Sequence, residues 1–246
     1  MKQYFTYNQT KICYYIIGTQ FSKICLFLHG WGTNSKLWMS SFLKLKDKYT
    51  LIFIDFPPFG QSQQLLSPWT IEDYANAVIY LLKLLNVKKI NIVAHSFGFR
   101  VAIYLSYLNV NICKIVSICG AGIEKKSIQT KLKILKYKFI KFMVKLKFLN
   151  NSKLTRYGSR DFISLSPTMK KTFINITNTN LYKHLKFVKA KTLLLYSKDD
   201  DQIRLKDAFR YKKKIKNSEL YIFEDGGHFL FLTKESAIKE AINIFL

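Results

Sequence analysis

The stretch Val93-Ala94-His95-Ser96-Phe97-Gly98 has the residue types and spacing of an activated nucleophile. Apolar residues 90–94 predict a buried strand, and residues 97–108 predict a helix. The serine between them has small residues at both second neighbours, Ala94 and Gly98. A strand-to-helix turn sharp enough to lift a serine Oγ above a sheet leaves no room for large side chains there. The turn also sets the Phe97 N–H at a helix N-terminus, where it can face a developing oxyanion. The competing reading is a plain βα turn with an ordinary serine.

A serine nucleophile needs a base, and the chain has four histidines, His29, His95, His184 and His228. His95 adjoins the serine and is expected to point away from it. His184 lies in a basic helical region without a motif. His29 stands in Leu28-His29-Gly30-Trp31-Gly32 after an apolar run and is expected to bind loop backbone. His228 follows an apolar run and the loop Glu224-Asp225-Gly226-Gly227. The carboxylate that would hold Nδ1–H of the base has three adjacent candidates, Asp199, Asp200 and Asp201, after the apolar residues 192–196.

These motifs in this order resemble the α/β-hydrolase fold superfamily, whose elbow normally carries glycine where Ala94 stands. The resemblance spans about residues 24–232, counting the segment Asp55-Phe56-Pro57-Pro58-Phe59-Gly60-Gln61-Ser62. Tyr157-Gly158-Ser159-Arg160-Asp161-Phe162 and the stretch from Ser166 to Phe173 also resemble small bacterial α/β-fold hydrolases. The resemblance implies Ser96 as nucleophile, His228 as base and a pattern small-x-x-Asp-x-x-apolar that falls on Ser197, Asp200 and Ile203. It implies that the Trp31 and Phe97 amides form the oxyanion hole and that Asp55 organises its loop. Asp199 and Asp201 are then expected to be solvated or helix N-terminal charges, with Glu124 a distant alternative acid.

The 246 residues fit one domain with a sizeable core, and 49% hydrophobic content argues against disorder. Cys13, Cys25, Cys113 and Cys119 show no CxxC pair and read as free thiols of a reducing compartment. The N-terminus lacks the apolar segment of a secretory leader, and no apolar run is long enough to span a membrane. The expectation is a cytoplasmic protein. Lys plus Arg number 40 against 15 acids, a net +25, which favours anionic partners. Lys, Ile, Phe, Asn, Tyr and Leu all have codons made only of A and T, so an AT-rich gene accounts for this bias without selection for a surface.

Strands are predicted for a hairpin around residues 4–6 and 13–17 and at about 24–28, 50–54, 90–94, 114–118, 192–196 and 219–223. Helices alternate with them, one capped by Thr70 with an acid at Asp73 and one closing the chain from Lys234 to Phe245. This alternation predicts an α/β fold with a doubly wound, mostly parallel sheet. Residues 1–122 and 189–246 form the core, and 123–188 a helical cap. In the cap, Ile128, Leu132, Leu135, Phe139, Phe142, Leu146 and Leu149 make one apolar stripe beside Lys131, Lys138, Lys141 and Lys145. The stripe is expected to roof a pocket lined by Trp31, Phe97, Leu135, Phe139 and Phe142; the rival is an interfacial helix on anionic lipid.

The expected function is a serine esterase acting on a small acyl compound with no cofactor and no metal. No nucleic-acid partner and no stable membrane insertion are expected, and any attraction to anionic surfaces should be weak. Thioester or carbon–carbon hydrolysis would use the same three residues. A non-catalytic relative that binds a ligand or membrane is the rival from another class.

Overall fold

The computed structural model describes residues 1–18, 22–123 and 164–246. Two antiparallel strands, β1 (Lys2–Tyr7) and β2 (Thr10–Ile17), open the chain. They are followed by β3 (Ile24–Leu28), β4 (Thr50–Ile54), β5 (Ile90–His95), β6 (Ile112–Ile118), β7 (Lys191–Ser197) and β8 (Ser218–Phe223). The sheet order is β1-β2-β4-β3-β5-β6-β7-β8, antiparallel through the β2–β4 pairing and parallel from there to β8. The doubly wound, mostly parallel sheet expected from the alternating runs is therefore present.

Helices cover both faces, so the central strands are apolar on both sides. Alternation along each strand divides the core. Leu26, Leu28, Ile52, Ile54, Ile92 and Ala94 face α2 (Ile71–Leu84), α3 (Phe97–Tyr107) and α5 (Leu205–Lys214). Cys25, Phe27, Leu51, Phe53 and Val93 face α1 (Ser35–Phe42), α6 (Leu230–Thr233) and α7 (Glu235–Phe245). Phe27 stacks on Phe53 at 4.4 Å, and Trp38 stacks on Phe231 at 4.5 Å. The expected cap on α2 is a full capping box, with Thr70 and Asp73 bonding each other's backbone amides.

Between β6 and β7 the described residues are helical, with α4 (Pro167–Asn178) and a 3-10 turn at Tyr182–Phe187. Ser166 caps α4 and Pro167 occupies its first turn. Arg100 of α3 reaches α4 and donates to the Ile176 and Thr179 carbonyls at 3.0 and 2.8 Å. Glu124, the stripe from Ile128 to Leu149 with Leu135, Phe139 and Phe142, the four lysines Lys131, Lys138, Lys141 and Lys145, and residues 157–162 lie outside the described residues.

Asp55, just past β4, ties the sheet to two loops. It is buried; its Oδ1 accepts the Ser35 N–H at the start of α1 (2.7 Å) and its Oδ2 accepts the Gln61 N–H (2.9 Å). A Cβ at Gly60 (φ +61°) would lie 2.2 Å from the same carboxylate, so this close approach requires glycine. Each hydrogen bond to a charged acceptor contributes about 1.5–3 kcal/mol. Asp55→Ala should therefore cost about 3–6 kcal/mol in urea unfolding, and a loss below about 1 kcal/mol would remove Asp55 from this role.

Candidate active site

Strand β5 ends at His95, and the next residue turns the chain sharply. Ser96 has φ +46° and ψ −110°, outside the regions L-residues favour. Neighbouring strands hold the turn. The Ser96 N–H donates to the Ile118 carbonyl at 3.1 Å, and the Ser96 carbonyl accepts from the Ala121 N–H at 3.0 Å and the Phe99 N–H at 3.1 Å. A Cβ at Gly98 would meet the Leu28 carbonyl oxygen at 2.0 Å. The glycine two residues past the serine is thus required by the packing of α3 on β3.

The loop after β3 lies against this turn. A Cβ at Gly30 would fall 2.5 Å from His95 Nδ1 and 3.5 Å from Ser96 Cβ, so the Gly30-Trp31 backbone passes directly over the elbow. His29 fixes the loop from beneath. Its Nε2 accepts the Phe56 N–H at 2.8 Å, which leaves Nδ1 protonated to donate to the Gly30 carbonyl at 2.7 Å. Burial pushes the His29 imidazole down to about 4, against the opposing pull of Gly30 and Asp55. His29 is a neutral strut for backbone, the place expected for it.

The aspartate loop after β7 separates its candidates by partner. Asp200 is buried, and its Oδ2 accepts Nδ1–H of His228 at 2.9 Å. Its Oδ1 accepts the Gln202 and Ile203 amides, both at 2.8 Å. Burial alone would raise this carboxyl, but His228 and the two amides outweigh it and hold the group below its ordinary range. Asp201 is exposed. Asp199 is exposed, as expected of a solvated charge, and it also makes contacts that the sequence reading did not include. It accepts a hydrogen bond from Ser197 Oγ and takes the Gly227 and Gly226 amides at 2.8 and 3.2 Å. Ser197 first, then those amides, lower its carboxyl. Nothing in the local sequence marks this contact, because the two loops are 27 residues apart.

His228 lies five residues past β8 and is buried. Its ring centroid is 4.8 Å from that of His95, beside the Ser96 turn. With Nδ1–H on Asp200, Nε2 is the ring nitrogen left to accept a proton. His184 lies elsewhere, packed on Tyr104 and Tyr107.

The Trp31 and Phe97 rings meet edge-on, with centroids 5.7 Å apart. Phe59 and Phe173 also meet the Trp31 ring edge-on, at 5.0 and 5.3 Å. Sequence reasoning missed both, since a lone Phe in a loop and another on an amphipathic helix have no local signature. Cys119, Asp200 and His228 place potential metal-ligand atoms within 4.8 Å of one another. Burial raises the Cys119 thiol far above its usual range, and Asp200 adds to the rise. A protonated thiol beside an engaged His–Asp pair is a poor donor set for a metal ion.

The described buried imidazoles make stability pH-dependent. Burial drives His95 down to about 3 and His29 to about 4, and lowers His184 in the same direction. The unfolded chain takes up these protons below about pH 6.5 while the folded chain resists them. Stability is therefore fully present above that pH and falls as pH drops toward 4, by up to about 2.7 kcal/mol per unit for two such groups. Urea unfolding from pH 7.5 to 5 should show proton uptake approaching two; a flat profile would contradict two buried neutral rings.

Comparison with known proteins agrees with this fold. The alpha/beta hydrolase fold family matches residues 24–138. An uncharacterized Mycobacterium tuberculosis protein, Rv2715, is 31% identical over 101 residues, covering 41% of this chain and 30% of the relative. The match thus spans less than a third of that relative's length. The AB hydrolase superfamily protein YisY of Bacillus subtilis is 25% identical, covering 89% of this chain and 90% of the relative. Monoacylglycerol lipase ABHD6 of Mus musculus is 22% identical, covering 99% and 82%. An esterase of Exiguobacterium antarcticum, EaEST, superposes with a TM-score of 0.78 at 19% identity, covering 100% of this chain and 99% of that one. The sheet order, the strained serine turn and these likenesses show that the chain has the α/β-hydrolase fold.

Proposed function

We propose that this chain is a serine hydrolase that cleaves a carboxylic ester through an acyl-enzyme. The observation that carries the reading is the buried 2.9 Å contact of Asp200 with His228 Nδ1, made beside a serine held at φ +46°. Ser96 Oγ attacks the carbonyl carbon as His228 Nε2 takes its proton, and Asp200 stabilises the imidazolium. The Trp31 and Phe97 amides donate to the oxyanion. Collapse expels the alcohol, which receives the proton from His228. Water then repeats the sequence on the acyl-enzyme and releases the acid.

A lipase- or esterase-like substrate suits the aromatic ring around Trp31. EaEST is an esterase and ABHD6 a monoacylglycerol lipase, and they support the reading by analogy alone. A serine at the elbow speaks for a serine acyl-enzyme. Thioesters and cleavable carbon–carbon bonds remain alternative substrates for the same residues. A purely binding role would leave the Ser96 turn without a use for its strain.

A fluorophosphonate probe should label Ser96 and lose its target in Ser96→Ala. Labelling that persists in that variant would sink the assignment. By analogy with other triads, Ser96→Ala or His228→Ala should cut kcat on p-nitrophenyl butyrate about 10³–10⁶-fold. Asp200→Asn should cut it by about 10⁴-fold. Asp201→Asn should be near wild type. If Asp201→Asn proved the crippling change, the acid would be misplaced.

The aromatic wall also sets an expectation for chain length. Each buried CH₂ gains roughly 0.8 kcal/mol until the pocket is full. Across p-nitrophenyl esters, kcat/KM should rise from acetate toward butyrate or hexanoate and then fall. A steady decline with every added carbon would rule out an apolar acyl pocket of that size.

A further inference from the structure

We propose that His95 is a positioning residue for the base: its ring donates to the backbone carbonyl of His228 and holds that residue over the serine turn. The proposal rests on the reading of His228 as base. The Nε2 of His95 lies 2.9 Å from the His228 carbonyl oxygen. A carbonyl only accepts, so Nε2 carries the proton. Nδ1 is then the bare nitrogen; it is buried and has no hydrogen-bond partner among the described residues. It faces Gly30, where a Cβ would come within 2.5 Å.

One side chain thus touches the three segments that must converge. It is the residue before Ser96, it packs under the Gly30-Trp31 backbone, and it anchors the backbone of His228. Alternation along β5 sends it to the face opposite Ala94, into a cage of Trp38, Phe229 and Phe231 at 6.2, 5.4 and 5.0 Å. That cage fixes the ring plane. Burial and the neighbouring His228 bring the imidazole down to about 3, so the ring stays neutral with its one proton on Nε2. From the other side, Asp199 holds the Gly226 and Gly227 amides. His228 is gripped at its carbonyl by His95, at the preceding amides by Asp199 and at its ring by Asp200. The first of these grips connects the base directly to the nucleophile's own strand.

Phe in place of His95 keeps a ring in the cage and removes the donor, whereas Gln carries an amide N–H at about the reach of Nε2. His95→Phe should lower kcat on p-nitrophenyl butyrate about 10–100-fold, the scale of a misplacement near 1 Å, with KM within about threefold. Fluorophosphonate labelling of Ser96 should slow in parallel, and His95→Gln should recover most of both rates. The wild type should also show a low-field proton resonance from His228 Nδ1–H that vanishes in Asp200→Asn. In His95→Phe that resonance should shift or broaden, and in His95→Gln it should return. If His95→Phe does not fold, His95→Leu takes its place in every measurement. A folded donor-less variant with wild-type kcat and an unchanged low-field resonance overturns the proposal. So does a Gln variant no better than Phe. If the wild type neither turns over the ester nor labels at Ser96, the esterase reading falls, and the resonance comparison still decides whether His95 positions His228.

Discussion

The strained backbone at Ser96 is the constraint around which the site is built. A non-glycine residue at φ +46° and ψ −110° costs on the order of 1–3 kcal/mol and persists only where its surroundings leave no alternative. Here the surroundings are the ends of parallel strands. Ile118 of β6 takes the Ser96 amide, Ala121 binds its carbonyl, and Leu28 of β3 leaves no space beside Gly98 for a side chain. Those contacts belong to strands packed on both faces, so relaxing the turn would disturb the core. The strain is met by ordinary sheet packing, and the serine is presented at the carboxyl end of the sheet, where α/β sheets place their ligands.

The same sheet edge explains why three aspartates in a row do different work. They leave β7 together, but alternation and one Asx-type turn separate them. Asp200 folds inward, caps the Gln202 and Ile203 amides with one oxygen and offers the other to His228. Asp199 points across to the glycine loop after β8 and adds to the Asp200–His228 tie between the two loops. Asp201 meets solvent. A buried carboxylate with three hydrogen bonds is tolerated because the amides and the imidazole replace the water it lost.

Much of the scaffold was legible because strands buried on both faces are continuous apolar runs. Residues 24–28 and 50–54 predict β3 and β4 with the same ends, and the other parallel strands differ by one or two residues at their ends. The Thr70 cap was readable for a local reason, the Asp73 side chain three residues on. The pairing of Asp200 with His228 was accessible only through resemblance, since spacing alone left three acids open. Contacts made by the fold itself were not legible. Asp199 reaches residues 27 and 28 positions away, His95 reaches across 133 positions, and Phe173 joins Trp31 from a separate helix. No window of sequence contains both partners of any of these, so no local pattern can announce them.

Three imidazoles sit around this turn, and their partners distinguish them. His29 binds a backbone amide with one nitrogen and a backbone carbonyl with the other, so neither is available for chemistry. His95 donates to a carbonyl, and its bare nitrogen is buried against Gly30. Of the three, only His228 has a carboxylate on Nδ1, the partner that the proposed role of a base requires. Burying two rings without a carboxylate costs the chain stability in acid. The three rings thus differ by hydrogen-bond partner, and the parallel sheet brings them to one end, His95 from the last position of β5 and His29 and His228 from loops.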